Sequence, residues 1–375
     1  MGYYVFFIGM RILHVITTLD VGGAERLMVD LLPELLHRSN EVDLLLFNGI
    51  NTAFKDDLSS KGINVFELSN EDGYLDHHEV YNPLNIIRLL KYVSDYDIIH
   101  THNTACQFYV AIAAAIKRSK SVLVTTEHSS NNRRRSSFWF KPFDKWMYSR
   151  YSKIICIADQ TRENLESYIG NRRSICTICN GVDTNRFINP IKDISHQDKF
   201  VITMVAGLRK EKDHETVFKS MLRLPNNFTL QVVGNGETEQ SLKEKCHEMG
   251  LDNRIHFLGA RMDIPAILRD SDINLLSSHW EGLSLSSIEG MASGRPFIAS
   301  DVDGLRDVVG GAGVLFPHGD DKALAKCVND LCDNPSYYHD VAVSCQKRAM
   351  EYDISVMADK YNDLYKSLIN RASVR

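Results

Sequence analysis

The sequence predicts an α/β protein made of two doubly wound, Rossmann-like domains. At 375 residues, the chain is too long for one ordinary domain and long enough for two. Short β-rich runs alternate with helical patterns throughout, which is typical of parallel sheets whose strands are joined by crossover helices. A polar linker at about 189–198 interrupts the alternation, which then starts again. Each half therefore has the pattern of one such domain.

In the first half, apolar runs predict strands at residues 12–17, 42–47, 65–68, 98–100, 122–126 and 153–157. Helical periodicity is clearest at residues 24–37, 83–93 and 105–116. Another apolar run contains Cys176 and Cys179. We expect it to be a buried strand, because no second cysteine pair lies at the spacing of zinc ligands. A turn-rich connector at residues 180–187 ends this half.

In the second half, the same reasoning predicts strands at residues 200–205, 229–233, 255–258, 273–276, 296–299 and 313–316. The helices between them are expected near residues 214–222, 239–249, 264–269, 285–292 and 322–330. A last helix is predicted at about 355–367.

Bulk composition excludes several classes of protein. A formal net charge of −5 argues against nucleic acid as a partner. The longest uncharged apolar run, about 108–116, is far shorter than the roughly 20 residues of a membrane-spanning helix. Scattered cysteines indicate reduced thiols and a cytoplasmic protein. Residues 1–9 lack the basic start of a signal peptide. We expect them to be dispensable, with Met1 and Met10 both left open as the true start.

Two carboxylates, Glu281 and Glu289, stand eight positions apart in the stretch 277–289. Because Gly282 favours a turn, we expect a strand that ends near residue 276, a loop that carries Glu281, and a helix from about Ser284 that carries Glu289. Open α/β sheets bind ligands at the carboxyl ends of their strands. The pair is therefore predicted to lie at a ligand site.

The two glutamates are followed by the run GMASGRPFIAS at 290–300 and then by Asp301, Gly304 and Asp307. This pattern resembles the motif of retaining glycosyltransferases of family 4, which have the GT-B fold and act in bacterial surface-polysaccharide synthesis. The resemblance implies two Rossmann-like domains that face each other across a cleft. Residues 1–188 would form the acceptor-side domain and 189–348 the nucleotide-sugar-binding domain. The helix in 349–375 would cross back to the first domain.

The resemblance implies roles for the residues around the glutamate pair. Glu289 would accept hydrogen bonds from the ribose hydroxyls, and Glu281 would contact the donor sugar and stabilise positive charge on it. The backbone amides of Gly282, Leu283, Ser284 and Leu285 would bind the diphosphate. Many relatives have proline where this chain has Ser284, which could alter the choice of donor sugar.

Two cations, Arg209 and Lys212, follow the first strand of the second half. From the residues alone, a solvated cluster of charges over 209–213 is the simpler interpretation. The resemblance implies instead that both grip the diphosphate, with Arg209 replacing an arginine that many relatives have at the position of Gly207. Charge-assisted hydrogen bonds of roughly 1.5–3 kcal/mol each would stabilise the leaving group.

Further candidates are also assigned by the resemblance. Gly22 and Gly23 open the first helix and would form a loop that binds the donor phosphate and the acceptor. An ordinary turn is the alternative interpretation of this glycine pair. Gly234 and Gly236 would lie beside the nucleotide. Arg261 would contact the base, and a surface arginine is an equal alternative. His128 follows a strand and would reach the donor sugar. A hydrogen-bonded structural histidine is the alternative there.

The segment 131–151 combines basic and aromatic residues: Arg133, Arg134, Arg135, Trp139, Phe143 and Trp146. Trp139, Phe143 and Trp146 would share one face of a helix that starts near Pro142. One interpretation is an amphipathic patch on anionic lipid, and the other is a helix packed on the sheet with a basic flank. Polyprenyl-linked acceptors in many relatives favour the patch.

We therefore predict a retaining hexosyl- or N-acetylhexosaminyltransferase that uses a nucleotide-sugar, preferentially a UDP-sugar, and a polyprenyl-diphosphate-linked glycan acceptor. Capsule, O-antigen and exopolysaccharide synthesis are the expected settings, on the inner face of the cytoplasmic membrane. No cofactor is expected. No metal site is assigned, although Asp301 and Asp303 have the spacing of an Asp-x-Asp metal motif. A non-hydrolysing UDP-GlcNAc 2-epimerase and a non-catalytic sugar-nucleotide-binding subunit are the alternatives.

Overall fold

The chain divides into two compact units, one formed by Met1–Gly181 with Ile354–Arg375 and the other by Val182–Asp353. The computed structural model describes residues 9–20, 23–49, 52–70, 77–128, 138–170 and 174–373. Each unit contains one parallel sheet with helices packed against it. This architecture confirms the predicted fold class of two doubly wound halves.

The first unit has a seven-stranded parallel sheet. Its strands are β1 Arg11–Ile16, β2 Glu41–Gly49, β3 Asn64–Asn70, β4 Ile98–His102, β5 Val122–Glu127, β6 Lys153–Cys156 and β7 Ile175–Thr177. Their order, β3-β2-β1-β4-β5-β6-β7, reverses direction between β1 and β4. The connecting helices are α1 Gly23–His37, α2 Ala53–Ser60, α3 His77–Val80, α4 Leu84–Leu89, α5 Thr104–Lys117, α6 Lys141–Ser149 and α7 Asp159–Ile169. The switch between β1 and β4 is where such sheets bind ligands.

The second unit has a six-stranded parallel sheet with the order β10-β9-β8-β11-β12-β13. Its strands are β8 Phe200–Val205, β9 Phe228–Val233, β10 Ile255–Gly259, β11 Ile273–Leu276, β12 Phe297–Ser300 and β13 Val314–Phe316. Its helices are α8 His214–Met221, α9 Glu239–Glu248, α10 Ile264–Asp270, α11 Leu285–Ala292, α12 Asp303–Val309, α13 Asp321–Asp333 and α14 Pro335–Met350. The switch of strand order falls between β8 and β11, whose following loops carry the predicted cations and Glu281.

The last helix, α15 Ile354–Ser373, belongs to the first unit. It packs beside α1, and its buried Tyr361 and Tyr365 share an apolar cluster with Ile12 and Ile16 of β1. The opposite face of the same sheet carries a second cluster, which includes Leu13 and Val15 and is covered by α4, α5 and α6. The period-2 alternation along β1 is therefore used on both faces, as expected for a central parallel strand.

Two predicted elements differ from the structure. The predicted helix 83–93 ends at Leu89, because the chain then closes tighter turns, with the amides of Leu90 and Tyr92 donating to the carbonyls three residues earlier. The run that contains Cys176 and Cys179 forms a strand only to Thr177. Both cysteines are half-buried and not fully buried, since β7 is an edge strand with one neighbour.

No helix among the described residues is both long enough and apolar enough to cross a membrane.

Candidate functional site

In the second unit, the loops after β8 and β11 are tied together by backbone hydrogen bonds. The amide of Asp213 donates to the carbonyl of Ser277 at 3.0 Å, and the amide of His279 donates to the carbonyl of Glu211 at 2.8 Å. Asp213 also caps α8, since its carboxylate accepts from the amide of Thr216 at 3.1 Å. The two loops therefore form one rigid ledge at the carboxyl edge of the sheet.

This ledge brings together Lys212 and Glu281, which the sequence predicted separately. The Nζ atom of Lys212 forms an ion pair with Oε2 of Glu281. Both side chains are mostly buried, with 13% and 17% of their surface exposed. The hydroxyl of Ser278 donates to the same carboxylate oxygen at 3.2 Å. Lys212 is thus a desolvated cation whose partner in this structure is an acid that lies 69 residues away in sequence.

Arg209 lies on the same loop and is largely exposed. Its guanidinium is 4.0 Å from Glu211, which is a weak ion pair at the surface. The side chain folds over Gly207, because a Cβ built on that glycine would lie 3.4 Å from the Nε of Arg209. The side chain of Arg209 therefore covers Gly207, the position at which many relatives have an arginine.

Gly234 and Gly236 support this loop from the side. Gly234 has φ +143°, and a Cβ on it would overlap the carbonyl oxygen of Ala206. A Cβ on Gly236 would overlap the carbonyl of Leu208 in the same way. Two hydrogen bonds join the loops: the amide of Leu208 donates to the carbonyl of Asn235 at 2.9 Å, and the amide of Thr238 donates to the carbonyl of Leu208 at 3.1 Å. The packing alone requires glycine at both positions, and contact with a nucleotide stays a prediction.

The N-terminus of α11 follows the Glu281 loop. Ser284 is the N-cap of this helix, and its Oγ accepts from the amide of Ser287 at 3.3 Å. A serine at this position therefore caps the helix through its side chain, which a proline could not do. Gly304 packs against the carbonyl of Gly282 so closely that a Cβ would overlap it. Its backbone approach fixes the loop in front of the helix.

The other residues of this predicted site have simple placements. Leu283 and Leu285 are half-buried and pack against the core of the second unit. Glu289 is half-buried on the second turn of α11. Gly290 contacts the ring of Phe297 so closely that a Cβ would clash, which holds α11 tightly on the sheet. The first backbone amides of α11 and the side chain of Glu289 are therefore held on one rigid helix.

Two charged groups near the sheet edge are paired within the second unit. Arg261 is exposed, and its guanidinium donates two hydrogen bonds to the carboxylate of Asp263, with nitrogen–oxygen distances of 2.8 and 2.7 Å. Arg306 bridges Asp301 at 2.6 Å and Asp303 at 3.0 Å. The Asp-x-Asp pair thus neutralises an arginine, an arrangement that needs no metal ion. A base contact by Arg261 would compete with its carboxylate partner.

A cavity of about 460 Å³ lies beside the ledge in the second unit. Its lining includes Arg209, Lys210, Lys212, Lys219 and Lys245. Asp213 and Glu215 are the acids of its wall, and Glu215 is paired with Lys245. The excess of cations favours an anionic ligand in this space.

In the first unit, Gly23 is exposed and is the first residue of α1, while Gly22 lies outside the described residues. The glycine pair follows β1 at the strand-order switch, where the carboxyl ends of β1 and β4 are adjacent. A role for this loop in binding phosphate or acceptor remains a prediction.

His128 follows β5 directly and is half-buried. Its Nε2 lies 2.9 Å from Nδ1 of His102, and Nε2 of His102 lies 3.0 Å from Nδ1 of His14. Burial lowers the pKa of His128 to about 4 and that of His14 to about 3, so that both are neutral at pH 7. This connection between histidines that lie on or directly after three different strands was not predicted from the sequence. The signal was His100-Thr101-His102, where alternate strand residues share one face.

The structure describes the aromatic segment from residue 138 onward, and Arg133, Arg134 and Arg135 lie outside the described residues. Met147 and Tyr148 of α6 are buried, and the hydroxyl of Tyr148 donates to Glu127 at 2.7 Å. Packing therefore accounts for one face of α6. On the other side, Trp146 packs edge-on against Phe108, with ring centroids 6.3 Å apart, while Trp139 and Phe143 are more exposed to solvent. Phe143 and Trp146 of α6 are exposed, with accessible fractions of 61% and 41%. Trp139, at 82%, lies in the 3-10 turn Phe138–Phe140 before α6, so the three aromatic residues do not share one face of a single helix as predicted.

Two family models match successive parts of the chain. The model described as Glycosyltransferase Family 4 matches residues 21–186, and the model described as Glycosyl transferases group 1 matches residues 186–348. Together they cover the loops after β1, β5, β8 and β11, on which the candidate residues lie.

Several known proteins are similar to this chain. The Escherichia coli UDP-Gal:α-D-GlcNAc-diphosphoundecaprenol α-1,3-galactosyltransferase is 28% identical over 309 residues, which are 76% of this chain and 79% of that protein. The putative glycosyltransferase EpsD of Bacillus subtilis is 25% identical over 77% of this chain and 83% of its own. The Anabaena protein HepE, crystallised with UDP, has the same fold with a TM-score of 0.78, at 22% identity over 96% and 100% of the two chains. These matches favour glycosyl transfer over the epimerase alternative.

Proposed function

Because the chain belongs to the family 4 glycosyltransferases of the GT-B fold, we propose that it moves a sugar from a UDP-sugar to a polyprenyl-diphosphate-linked glycan. The paired Lys212 and Glu281 at the carboxyl edge of the second sheet are the observation that carries this proposal. A desolvated lysine beside a helix N-terminus suits a diphosphate, and the carboxylate suits a sugar that gains positive charge.

In the proposed reaction, an acceptor hydroxyl oxygen bonds to the anomeric carbon of the donor while the bond from that carbon to the β-phosphate oxygen breaks. The hydroxyl proton passes to the leaving phosphate oxygen, and the sugar configuration is retained. Lys212, Arg209 and the amides of 282–285 take up the charge that develops on the diphosphate. Glu289 accepts hydrogen bonds from the ribose hydroxyls. The transferred sugar is a hexose or an N-acetylhexosamine.

The diphosphate would exchange partners with Glu281. In the absence of donor, the carboxylate neutralises Lys212 and avoids leaving a mostly buried cation unpaired. When the diphosphate arrives, it supplies the negative charge, and Glu281 becomes available to the sugar ring. The hydroxyl of Ser278 would keep the carboxylate oriented during this exchange, since it donates to Oε2.

A lipid-linked acceptor is supported by the name of the Escherichia coli relative, whose acceptor is attached to diphosphoundecaprenol. An enzyme with such an acceptor works at the cytoplasmic face of the membrane, where its nucleotide-sugar is found. We propose that the exposed aromatic residues Trp139, in the turn before α6, and Phe143 and Trp146 of α6 form the surface that rests on anionic lipid. The three arginines at 133–135 would add about 1 kcal/mol each near such a surface.

Co-sedimentation with vesicles tests this surface. We expect the protein to bind phosphatidylglycerol vesicles more than phosphatidylcholine vesicles. Trp139→Ser combined with Phe143→Ser is expected to lower the partition coefficient more than tenfold, because two large apolar side chains of roughly 1.5–3 kcal/mol each no longer enter the interface. Leu222→Ser removes an exposed apolar residue of α8's C-terminal end and serves as the control. Equal binding to both lipids would contradict the proposal.

Thermal unfolding in EDTA with UDP, GDP, ADP or no nucleotide tests the donor class. A ligand present at 100 times its dissociation constant stabilises the protein by about 2.7 kcal/mol, which is several degrees for units of this size. We expect a shift with UDP alone. A shift only with GDP or ADP would move the donor to another nucleotide class. A binding subunit without catalysis would give the UDP shift and no transfer to a lipid-linked acceptor.

A further inference from the structure

Four histidines of the first unit form one cluster on the face of the sheet that α1 and α15 cover. His14 of β1, His100 and His102 of β4, and His128 after β5 have ring centroids 4.5–5.3 Å apart along the series. His14, His100 and His102 are fully buried, and His128 is half-buried. The cluster therefore runs from the core to the carboxyl edge of the sheet.

The arrangement of the rings does not suit a metal ion. Nitrogen atoms of His14, His100 and His102 lie within 4.8 Å of one another. However, Nδ1 of His14 and Nε2 of His102 point at each other across 3.0 Å, so these two nitrogens bond to one another and do not converge on an ion. Both nitrogens of His100 already have partners, the hydroxyls of Tyr365 and Thr126. The cluster is better described by its hydrogen bonds.

Three of the histidines form a linear chain. His14 uses Nδ1 toward Nε2 of His102, at 3.0 Å, and His102 uses Nδ1 toward Nε2 of His128, at 2.9 Å. The Nε2 of His14 is buried and has no hydrogen-bond partner among the described residues. At the other end, no hydrogen bond joins Nδ1 of His128 to the part of the chain that the structure describes. This leaves that nitrogen for a ligand.

Such a chain of neutral rings has two self-consistent proton arrangements, because each contact holds one hydrogen and each ring carries one. In the first, every Nδ1 is protonated, His14 donates to His102, and His102 donates to His128. His128 then presents an N–H at its outer nitrogen. In the second, every Nε2 is protonated, the donations run in reverse, and His128 presents a bare nitrogen.

The buried end discriminates between the two arrangements. The first leaves a lone pair on Nε2 of His14, and the second leaves an N–H there without an acceptor. His14 alternates along β1 with Ile12 and Ile16 of the apolar cluster. An unpaired donor is the rarer of the two groups inside proteins. The surroundings of His14 thus favour the arrangement in which His128 carries its proton on Nδ1.

We infer that His14 and His102 are positioning residues that fix His128 as a hydrogen-bond donor through Nδ1. Protonated in this way, His128 can donate to a hydroxyl or phosphate oxygen and cannot accept the proton of an acceptor hydroxyl. That this oxygen belongs to a sugar nucleotide or to its acceptor rests on the proposed function. The proton position itself does not depend on it.

Nitrogen NMR of ¹⁵N-histidine-labelled, ligand-free protein measures the proton position directly. The His128→Gln variant assigns the His128 signals by their loss. We expect Nδ1 of His128 to be protonated and Nε2 to be bare in the native protein. His14→Asn keeps an N–H where Nδ1 of His14 stands, so the same pattern is expected.

His14→Met is the matched variant of similar volume that offers only a weak acceptor. His102 should then place its proton on Nε2, and the proton of His128 should move from Nδ1 to Nε2, two rings away from the substitution. A native His128 protonated on Nε2, or an unchanged pattern in folded His14→Met, would overturn the inference. Failure of the transferase proposal would appear separately, as a missing UDP shift with the NMR pattern intact.

Discussion

Replacing Glu281 by glutamine is expected to reduce kcat by about a hundredfold to a thousandfold, the range found when one preorganised electrostatic group is removed from an active site. UDP affinity should be unchanged or higher in the same variant. The carboxylate pairs with Lys212 in the ligand-free protein, so its charge competes with the diphosphate for that lysine. The amide removes the competitor and also removes the negative charge next to the transferred sugar.

The measurement pairs calorimetric titration of UDP with transfer kinetics, using the UDP-sugar that gives the largest thermal shift. Glutamine keeps the size of the side chain and can still accept from Ser278, so the loop should stay in place. Glu244→Gln changes an exposed acid of α9 and is the control. A kcat within threefold of the native value would mean that Glu281 only organises Lys212 and has no part in the chemistry.

The fold could be predicted from the sequence because its signal is periodic. Central strands such as β8 and β11 are mainly apolar runs, as parallel strands buried on two faces require. Helix α6 was predicted from Pro142 and the spacing of its aromatic residues, and the structure has it at Lys141–Ser149. Short elements such as α3 and the edge strand β7 were missed or misplaced, because a four-residue helix or a three-residue strand has too few positions to establish a period.

The candidate site could be predicted only one residue at a time. The family motif singled out Lys212 and Glu281 separately, and spacing along the chain could not reveal an ion pair between loops that follow different strands. The histidine chain was missed for the same reason, since His14 and His102 become neighbours only when β4 pairs beside β1. Gly234 and Gly236 have a packing role that the motif did not suggest, because their constraint comes from carbonyl groups of another loop.

Replacing Lys212 by methionine is expected to weaken UDP binding by about tenfold to 150-fold, which corresponds to the roughly 1.5–3 kcal/mol of a charge-assisted hydrogen bond. Methionine keeps the apolar stem of the mostly buried lysine, so the loss should come from charge and not from packing. The variant also leaves Glu281 without its cation, which adds repulsion toward the diphosphate. Lys322→Met, an exposed lysine of α13, is the control.

The double variant Lys212→Met with Glu281→Gln separates the two contributions. If the diphosphate exchanges places with Glu281 on Lys212, the second substitution removes the repulsion, and the double variant should bind UDP more tightly than Lys212→Met alone. The difference between this cycle and simple addition measures the coupling of the pair in the UDP-binding equilibrium. A double variant that binds UDP no more tightly than Lys212→Met, or a UDP affinity of Lys212→Met within threefold of the native value, would contradict a diphosphate site at this ion pair. Strong coupling would indicate that Lys212 exchanges the carboxylate of Glu281 for the diphosphate when the donor binds.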